Sequence, residues 1–285
     1  MRIAVTGANG RIGRQVVALL AATQEHQIVA LTRPGSAPGP QPPQVRVAAA
    51  DYGNATALRV ALRDADTLVF VSSDGPVAQV MAHHHNVVQA AAENGSHIVA
   101  LSGLDADLDS PFCYAVSYGY TELLLRASGC PVSIARASLY TEFFLSLLTR
   151  SGAEGKLRVP AADGRASFVS REDVARCLAA LATAPPTARH HAITGPEAID
   201  VARFAAIAEQ VLRTPVEYVP ITPAEYAAEL AVAGEDPWWI YAYSTMFDSI
   251  REQRWDSVSD DVANLTGTPA TTVQAALGRT TRRAI

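Results

Sequence analysis

Lysine is almost missing from this 285-residue chain: among its 23 Lys and Arg residues, Lys156 is the one lysine. That scarcity bears on any catalysis that leans on a lysine ammonium. Cysteine is scarce too. Cys113, Cys130 and Cys177 are odd in number, widely spaced and without a C-x-x-C pair. This argues against a disulfide framework and a zinc cluster and fits reduced thiols in a cytoplasmic protein. No apolar run approaches the ~18 residues of a membrane span. The chain opens directly on a strand pattern, so neither a membrane anchor nor a signal peptide is expected. Basic excess is absent as well: the net charge is −5, which leaves no electrostatic footprint for nucleic acid. What is abundant is apolar side chain, 49% of the residues, enough for one large α/β domain with an attached lobe.

The N-terminal stretch concentrates the chemistry. A short apolar run at 3–5 leads into Gly7-Ala8-Asn9-Gly10-Arg11-Ile12-Gly13, and apolar Val16, Val17, Leu19 and Leu20 follow in an amphipathic segment. Strand, glycine loop and helix in that order build a dinucleotide site. The glycines let backbone N–H groups approach a pyrophosphate, and the helix N-terminus adds partial positive charge. The spacing is G-x-x-G-x-x-G rather than the common G-x-G-x-x-G, so the flanking strand and helix carry most of the inference. A second strand at 27–32 ends on Arg33, where such a fold places the adenosine ribose. A carboxylate there would bind the ribose hydroxyls of NAD; Arg33, with Arg11 nearby in the loop, suits the 2′-phosphate of NADP.

Residues 34–43 (PGSAPGPQPP) form a surface connection, since neither helix nor central strand tolerates so much proline. A third strand at 45–48 is followed by Asp51, a partner for the adenine amino group or a turn former. Asn54 then caps a helix at 54–63. The apolar run 66–72 is a buried strand whose end, Ser72-Ser73-Asp74, opens onto the cofactor crevice. A helix at 76–94 stops at Gly95 and carries His83, His84 and His85. Their side chains point about 100° apart around the axis and cannot share a metal; one faces the cofactor side and the others solvent. Strand 97–102 precedes a loop with Asp105, Asp107 and Asp109, which lacks the glycine and terminal glutamate of a calcium loop and reads as solvated. In the helix 114–129, Tyr114, Tyr118 and Glu122 share a face, and Leu123, Leu124 and Leu125 point to the core. A sixth strand at 131–135 completes the alternation of a doubly wound parallel sheet.

From Ser151 the pattern loosens. Gly152, Gly155 and Pro160 mark a loop, 167–170 reads as a strand, and 171–183 is a helix with acids in its first turn. After a segment at 191–194, Asp200 caps a helix running to Leu212, 216–221 is a strand, and Thr222-Pro223 starts another helix. Trp238, Trp239, Tyr241, Tyr243, Met246 and Phe247 crowd one helical stretch. They serve as core packing, as a wall of an apolar substrate pocket or as the subunit interface of a homodimer. There is no internal repeat and no sign of a disordered tail.

TGANGRIG at 6–13, ADYGNATALRVAL at 50–62, NVVQAAAENGSHIVALSG at 86–103, RASLYTEFF at 136–144 and LTGTPATTVQAAL at 265–277 together resemble the NmrA-like branch of the atypical short-chain dehydrogenases. Within it, the chain looks most like the NADPH-dependent quinone oxidoreductases and triphenylmethane dye reductases, over essentially its whole length. The resemblance implies a Rossmann domain over 1–195, a small, mainly helical substrate lobe over 196–285, NADPH in the glycine crevice and a substrate cleft between the parts. It implies that Gly7, Asn9, Gly10, Arg11, Ile12 and Gly13 hold the pyrophosphate, Arg33 the 2′-phosphate, and Asp51 and Tyr52 the adenine. Ser72, Ser73, Ser102, Gly103, Leu139 and Tyr140 would line the nicotinamide end, with Ser102, Tyr118 and Tyr140 as catalytic candidates.

One departure is informative. The wider superfamily uses a Tyr-x-x-x-Lys pair, whereas Tyr118 is followed four residues later by Glu122. A free tyrosine has a pKa of ~10, which a lysine lowers and an ionised glutamate raises. Tyr118 is then a neutral hydrogen-bond donor, adequate for quinones or cationic dyes that accept hydride without forming a basic alkoxide, and poor for simple ketones. The expected function is NADPH-dependent reduction of a small quinone-like or conjugated aromatic substrate, with natural-product tailoring as a variant of it. The rival from another class is a non-catalytic NAD(P)-binding redox sensor of the NmrA type.

Overall fold

The structure is a computed structural model that describes residues 1–36, 41–150 and 155–283. Part of the proline-rich connection, Gly152 and the last two residues lie outside that range. The chain begins β1 (Arg2–Val5), α1 (Gly13–Ala22), β2 (Gln27–Thr32), β3 (Val45–Ala49), α2 (Ala55–Leu62), β4 (Thr67–Phe70), α3 (Val77–Ala92), β5 (His97–Gly103), α4 (Cys113–Ala127) and β6 (Val132–Ala137). It continues α5 (Thr141–Arg150), β7 (Lys156–Val159), β8 (Arg165–Ala166), α6 (Arg171–Thr183) and β9 (His190–Ile193). It closes with β10 (Ile199–Asp200), α7 (Val201–Leu212), β11 (Glu217–Pro220), α8 (Pro223–Val232), α9 (Pro237–Arg251), α10 (Asp261–Thr266) and α11 (Val273–Arg283).

Seven strands form one sheet in the order β3-β2-β1-β4-β5-β6-β9, and β1 runs parallel to both β2 and β4. Ile3 stands opposite Ile28 and Thr67, and Leu68 opposite Ile98. The central strands read as unbroken apolar runs because helices cover both faces: Ile3, Ala4, Val5, Leu68, Val69, Ile98 and Val99 are all fully buried. Leu58 and Leu62 of α2 and Val87 and Ala91 of α3 pack with Phe70 and Ile98 in one core cluster. Each large side chain so buried stabilises the fold by about 1.5–3 kcal/mol. Strand order reverses between β1 and β4, so the loops that follow them diverge and open a crevice at the carboxyl ends of the strands.

The chain divides into two compact units. The first comprises Met1–Gly103, Ser117–Arg136 and Val174–His191; the second comprises Leu104–Val116, Ala137–Asp173 and Ala192–Ile285. A single cut at 195 does not separate them, because the chain leaves the first unit after β5 and again after β6, and α4 and α6 carry it back. In the second unit β7 pairs with β11 in parallel and β8 with β10 antiparallel. Its core is aromatic: Phe168 lies 4.6 Å from Phe144 and 5.1 Å from Phe204, ring centroid to centroid. Side-chain caps start α7, α8 and α9. Asp200 accepts from Arg203 N at 2.7 Å, Asp236 from Trp238 N at 2.8 Å, and Thr222 with Glu225 forms a capping box.

Four local expectations need correction. The loop expected around Gly155 and Pro160 contains β7, whose alternating burial of Leu157 and Val159 was too short a signal to read. The strand expected at 167–170 lies earlier, at β8, with Val169 making only an isolated bridge to Tyr140. Leu123 is 47% exposed while Leu125 is buried, since consecutive helical positions cannot all face one core. Asp105 is not solvated: it is buried, accepts from Ser110 Oγ at 2.6 Å and pairs with Arg254.

Candidate functional site

Thr6 fixes where the glycine loop departs. Its N–H donates to Val69 O at 3.0 Å, and its Oγ1 accepts from Val71 N at 2.9 Å, tying the loop to the junction of β1 and β4. Gly7 adopts φ +59°, a conformation that favours glycine. Gly10 N then donates back to Gly7 O at 2.8 Å and closes the turn. Gly13 opens α1, and a Cβ there would overlap the Gly7 carbonyl oxygen and stand 2.7 Å from its carbon. Only glycine lets the helix come this close. No side chain caps α1; Arg14 N donates to Gly10 O at 3.2 Å and Gln15 N to Ile12 O at 2.9 Å, so the donors an anion would meet are those of the loop and of Gly13 at the helix start.

Beside this loop lies a crevice of about 450 Å³, within the usual range of ligand sites. It is lined by Gly7, Asn9 and Gly10 after β1, Arg33 and Ser36 after β2, Asp51 and Tyr52 after β3, Ser72, Ser73 and Asp74 after β4, and Gln79 and His83 of α3. Arg11, Ile12 and Gly13 complete the loop without lining this space. Arg33 is exposed, and no carboxylate among the described residues forms an ion pair with it. Tyr52 is a fixed wall: its hydroxyl donates to Val71 O at 2.7 Å, and Asn86 Nδ2 donates to its carbonyl at 3.0 Å. Burial pushes the Tyr52 phenol well above its ordinary range, so it stays neutral. Asp51 forms the turn that was its alternative reading, Oδ1 accepting from Gly53 N at 2.7 Å, while still lining the crevice.

The three histidines separate as their spacing requires, with one correction. His83 lines the crevice, its Nδ1 3.2 Å from Ser73 Oγ, and His85 is exposed. His84, expected in solvent, is buried with Nε2 2.9 Å from Ser72 Oγ and Nδ1 2.6 Å from Thr121 Oγ1. Burial, with His83 beside it, lowers its pKa to about 3, so the ring is neutral at physiological pH.

This geometry fits a dinucleotide: a glycine cradle that a methyl would fill, an uncapped helix start, and a cation beyond the end of β2. Residues 7–185 match a family described as NAD(P)H-binding. The chain belongs to that NAD(P)H-binding family. It is 30% identical over 235 residues to quinone oxidoreductase 2 of Escherichia coli (strain K12), covering 81% of this chain and 82% of that protein. Among solved structures it is similar to an NADPH-dependent quinone oxidoreductase from Escherichia coli complexed with NADPH, with TM-score 0.86 and 27% identity over 98% of this chain and 99% of that one. It is likewise similar to triphenylmethane reductase of Citrobacter sp., with TM-score 0.88 and 25% identity over 99% of this chain and all of that one.

Elsewhere in the first unit of this NAD(P)H-binding protein, the ends of β5 and β6 meet α4. Tyr118 lies against Gly103, where a Cβ would come within 2.7 Å of the ring. Glu122 is buried but does not stand as a bare charge. Its carboxylate accepts from Arg136 Nε at 2.8 Å and Nη2 at 2.6 Å, from Arg126 Nη2 at 3.3 Å, and from Ser102 Oγ at 2.8 Å. Glu122 is therefore held by arginine, a partnership that the Tyr118–Glu122 spacing does not reveal. Ser102 spends its one proton on Glu122 and in this arrangement presents only lone pairs.

Leu139 and Tyr140 belong to the second unit. Burial pushes the Tyr140 phenol up to about 12, opposed by Arg171, whose guanidinium carbon is 5.2 Å from the ring centroid, and reinforced by Glu142. It too is a donor and not a base. Sequence reasoning missed Ser36 and Gln79 at the crevice and the Glu122–Arg136 pair. The i, i+4 spacing of Gln79 and His83 was a usable signal for the former; the pairing is long-range and left none.

Proposed function

We propose that the protein is a reductase that transfers hydride from NADPH to small quinone-like or conjugated aromatic acceptors. The observation that carries the reading is the crevice: a glycine cradle beside the start of α1, lined also by Arg33, which forms no ion pair among the described residues and would suit a 2′-phosphate. The names of the similar proteins, a quinone oxidoreductase and a triphenylmethane reductase, support the acceptor class. NADPH, when bound, supplies the hydride. The chain's contribution is to bind and to orient: loop N–H groups hold the pyrophosphate, Arg33 the 2′-phosphate, and Asp51 and Tyr52 the adenine end. At the nicotinamide end the first unit offers Ser72 and Ser73, with Ser102 and Gly103 as further candidates.

Tyr118 in the first unit and Tyr140 in the second are each candidate donors of a hydrogen bond from a neutral phenol, and no lysine base is required for acceptors that form no alkoxide. In the second unit, Trp239 stacks on Tyr243 with centroids 5.7 Å apart, and Tyr114 meets Trp238 edge-on at 6.1 Å. These flat faces suit an aromatic acceptor. The three cysteines are free thiols, which supports work in a reducing cytoplasm, and no described helix is long and apolar enough to cross a membrane. Homodimer formation is read from the mass in solution. The functional test is steady-state oxidation of NADPH by the purified protein across a panel of quinones and dyes. Acceptor-dependent turnover supports the reading; cofactor binding without turnover on any acceptor favours the redox-sensor alternative.

A further inference from the structure

His84 joins the crevice wall to α4 through a chain of hydrogen bonds whose protons can be counted. Ser72 has one hydroxyl proton and two candidate acceptors, His84 Nε2 at 2.9 Å and Ser73 O at 2.9 Å. Thr121 also has one, with His84 Nδ1 at 2.6 Å and Ser117 O at 2.6 Å as its candidates. A neutral imidazole carries a single N–H, so two arrangements satisfy every group. In one, Thr121 donates to Ser117 O, His84 Nδ1–H donates to Thr121, and Ser72 donates to Nε2. In the other, Thr121 donates to Nδ1, Nε2–H donates to Ser72, and Ser72 donates to Ser73 O. The first follows from the bond a helical threonine makes to the carbonyl four residues back, here Thr121 to Ser117 O, and it commits the Ser72 proton to His84 Nε2. Ser72, which lines the crevice, is thereby left with only lone pairs on its hydroxyl for whatever enters.

We infer that His84 is a positioning residue: it makes Ser72 an obligatory hydrogen-bond acceptor, which selects a hydroxyl or amide N–H donor of the bound dinucleotide at that point in the crevice. A ribose hydroxyl and the nicotinamide carboxamide are the donors of NADPH with that chemistry. The inference rests on the reading of the crevice as the NADPH site. It extends that reading by giving Ser72 a direction of bonding and His84 a role that its burial away from the ligand conceals.

The test uses two substitutions that dissect the ring. Asparagine places an amide where Nδ1 stands and keeps the Thr121 contact; glutamine places one where Nε2 stands and keeps the Ser72 contact. NADPH affinity is read by titrating the fluorescence of the reduced nicotinamide, with no acceptor present. The wild type is measured first, and failure to bind NADPH refutes the crevice assignment itself. Given binding, Ser72→Ala weakens NADPH about five- to ten-fold, the worth of one neutral hydrogen bond. His84→Asn weakens it to the same degree, and the double variant is no weaker than either single one, because both remove the same bond. His84→Gln, which keeps the contact to Ser72, retains near-wild-type affinity. Additive losses in the double variant, or unchanged affinity in folded His84→Asn, overturn the inference. Should His84→Asn fail to fold, Ser72→Ala and His84→Gln decide alone: unchanged affinity in the former or a five-fold loss in the latter overturns it.

Discussion

Replacing Glu122 by alanine examines the account where it departs furthest from the sequence. The side chain is 2% exposed and accepts four hydrogen bonds, two of them the parallel pair from Arg136. Removing one partner of a buried ion pair costs about 3–5 kcal/mol, because the remaining charge loses its compensation. Two features reduce that figure. Arg136 is 21% exposed and Arg126 is 58% exposed, so both guanidinium groups regain some water when the carboxylate is gone. The expected loss is then about 2–3 kcal/mol, equivalent to a Tm drop of roughly 4–12 °C at about 2–4 °C per kcal/mol. The double replacement Glu122→Leu with Arg136→Leu removes both charges and is predicted to cost less than Glu122→Ala alone. Urea denaturation of wild type, single and double variants measures this. A single variant as stable as wild type, or a double variant less stable than the single, refutes the assignment of Glu122 as a compensated buried charge.

The remaining predictions address the crevice and its histidine. His84 ionises near pH 6.5 when unfolded and near 3 when folded, so its contribution to stability is fully present above the higher value and is lost as pH falls toward the lower one. The loss is about 1.4 kcal/mol per pH unit, and the unfolding free energy of His84→Gln from urea titrations between about pH 6 and 4 should fall less steeply than that of the wild type by that amount; an unchanged slope contradicts a buried neutral ring. Arg33→Ala should weaken NADPH about ten- to a hundred-fold, the worth of a charge-assisted bond, and leave NADH nearly unaffected; equal losses in titrations of the two cofactors remove the 2′-phosphate from Arg33. Gly13→Ala forces a methyl against the Gly7 carbonyl and should lower both Tm and NADPH affinity, whereas a variant that binds normally shows that α1 and the loop need no close approach.

Local punctuation made much of this fold readable. Strand 27–32 and helix 171–183 were predicted with the bounds observed for β2 and α6, because an apolar run or an acidic first turn between clear breakers leaves little choice. Asn54, Asp200 and Thr222 were read as caps from residue type and act as caps in the structure. The crevice was legible for the same reason: its walls are the residues immediately after four strands, and Gly7, Arg33, Asp51 and Ser72 each follow an apolar run. What stayed hidden depends on partners distant in the chain. His84 is buried because Ser72 and Thr121 receive it, Asp105 because Arg254 does, and Glu122 because Arg136 does. No local pattern encodes those meetings. The interleaved units were hidden likewise, since a chain that leaves after β5 and returns in α4 carries no composition change at the crossing.

The central claim is hydride transfer to a conjugated acceptor, and isotope transfer tests it most directly. The protein is supplied with NADPH deuterated at the transferable position of nicotinamide C4 and with a triphenylmethane dye, whose central carbon keeps the hydrogen it receives, and the product is analysed by mass spectrometry. The account predicts a leuco dye carrying one deuterium on that carbon, formed in proportion to the NADPH consumed. NADPH consumed without label in the product, or no reduction of the dye or of a quinone panel by protein that demonstrably binds NADPH, contradicts it.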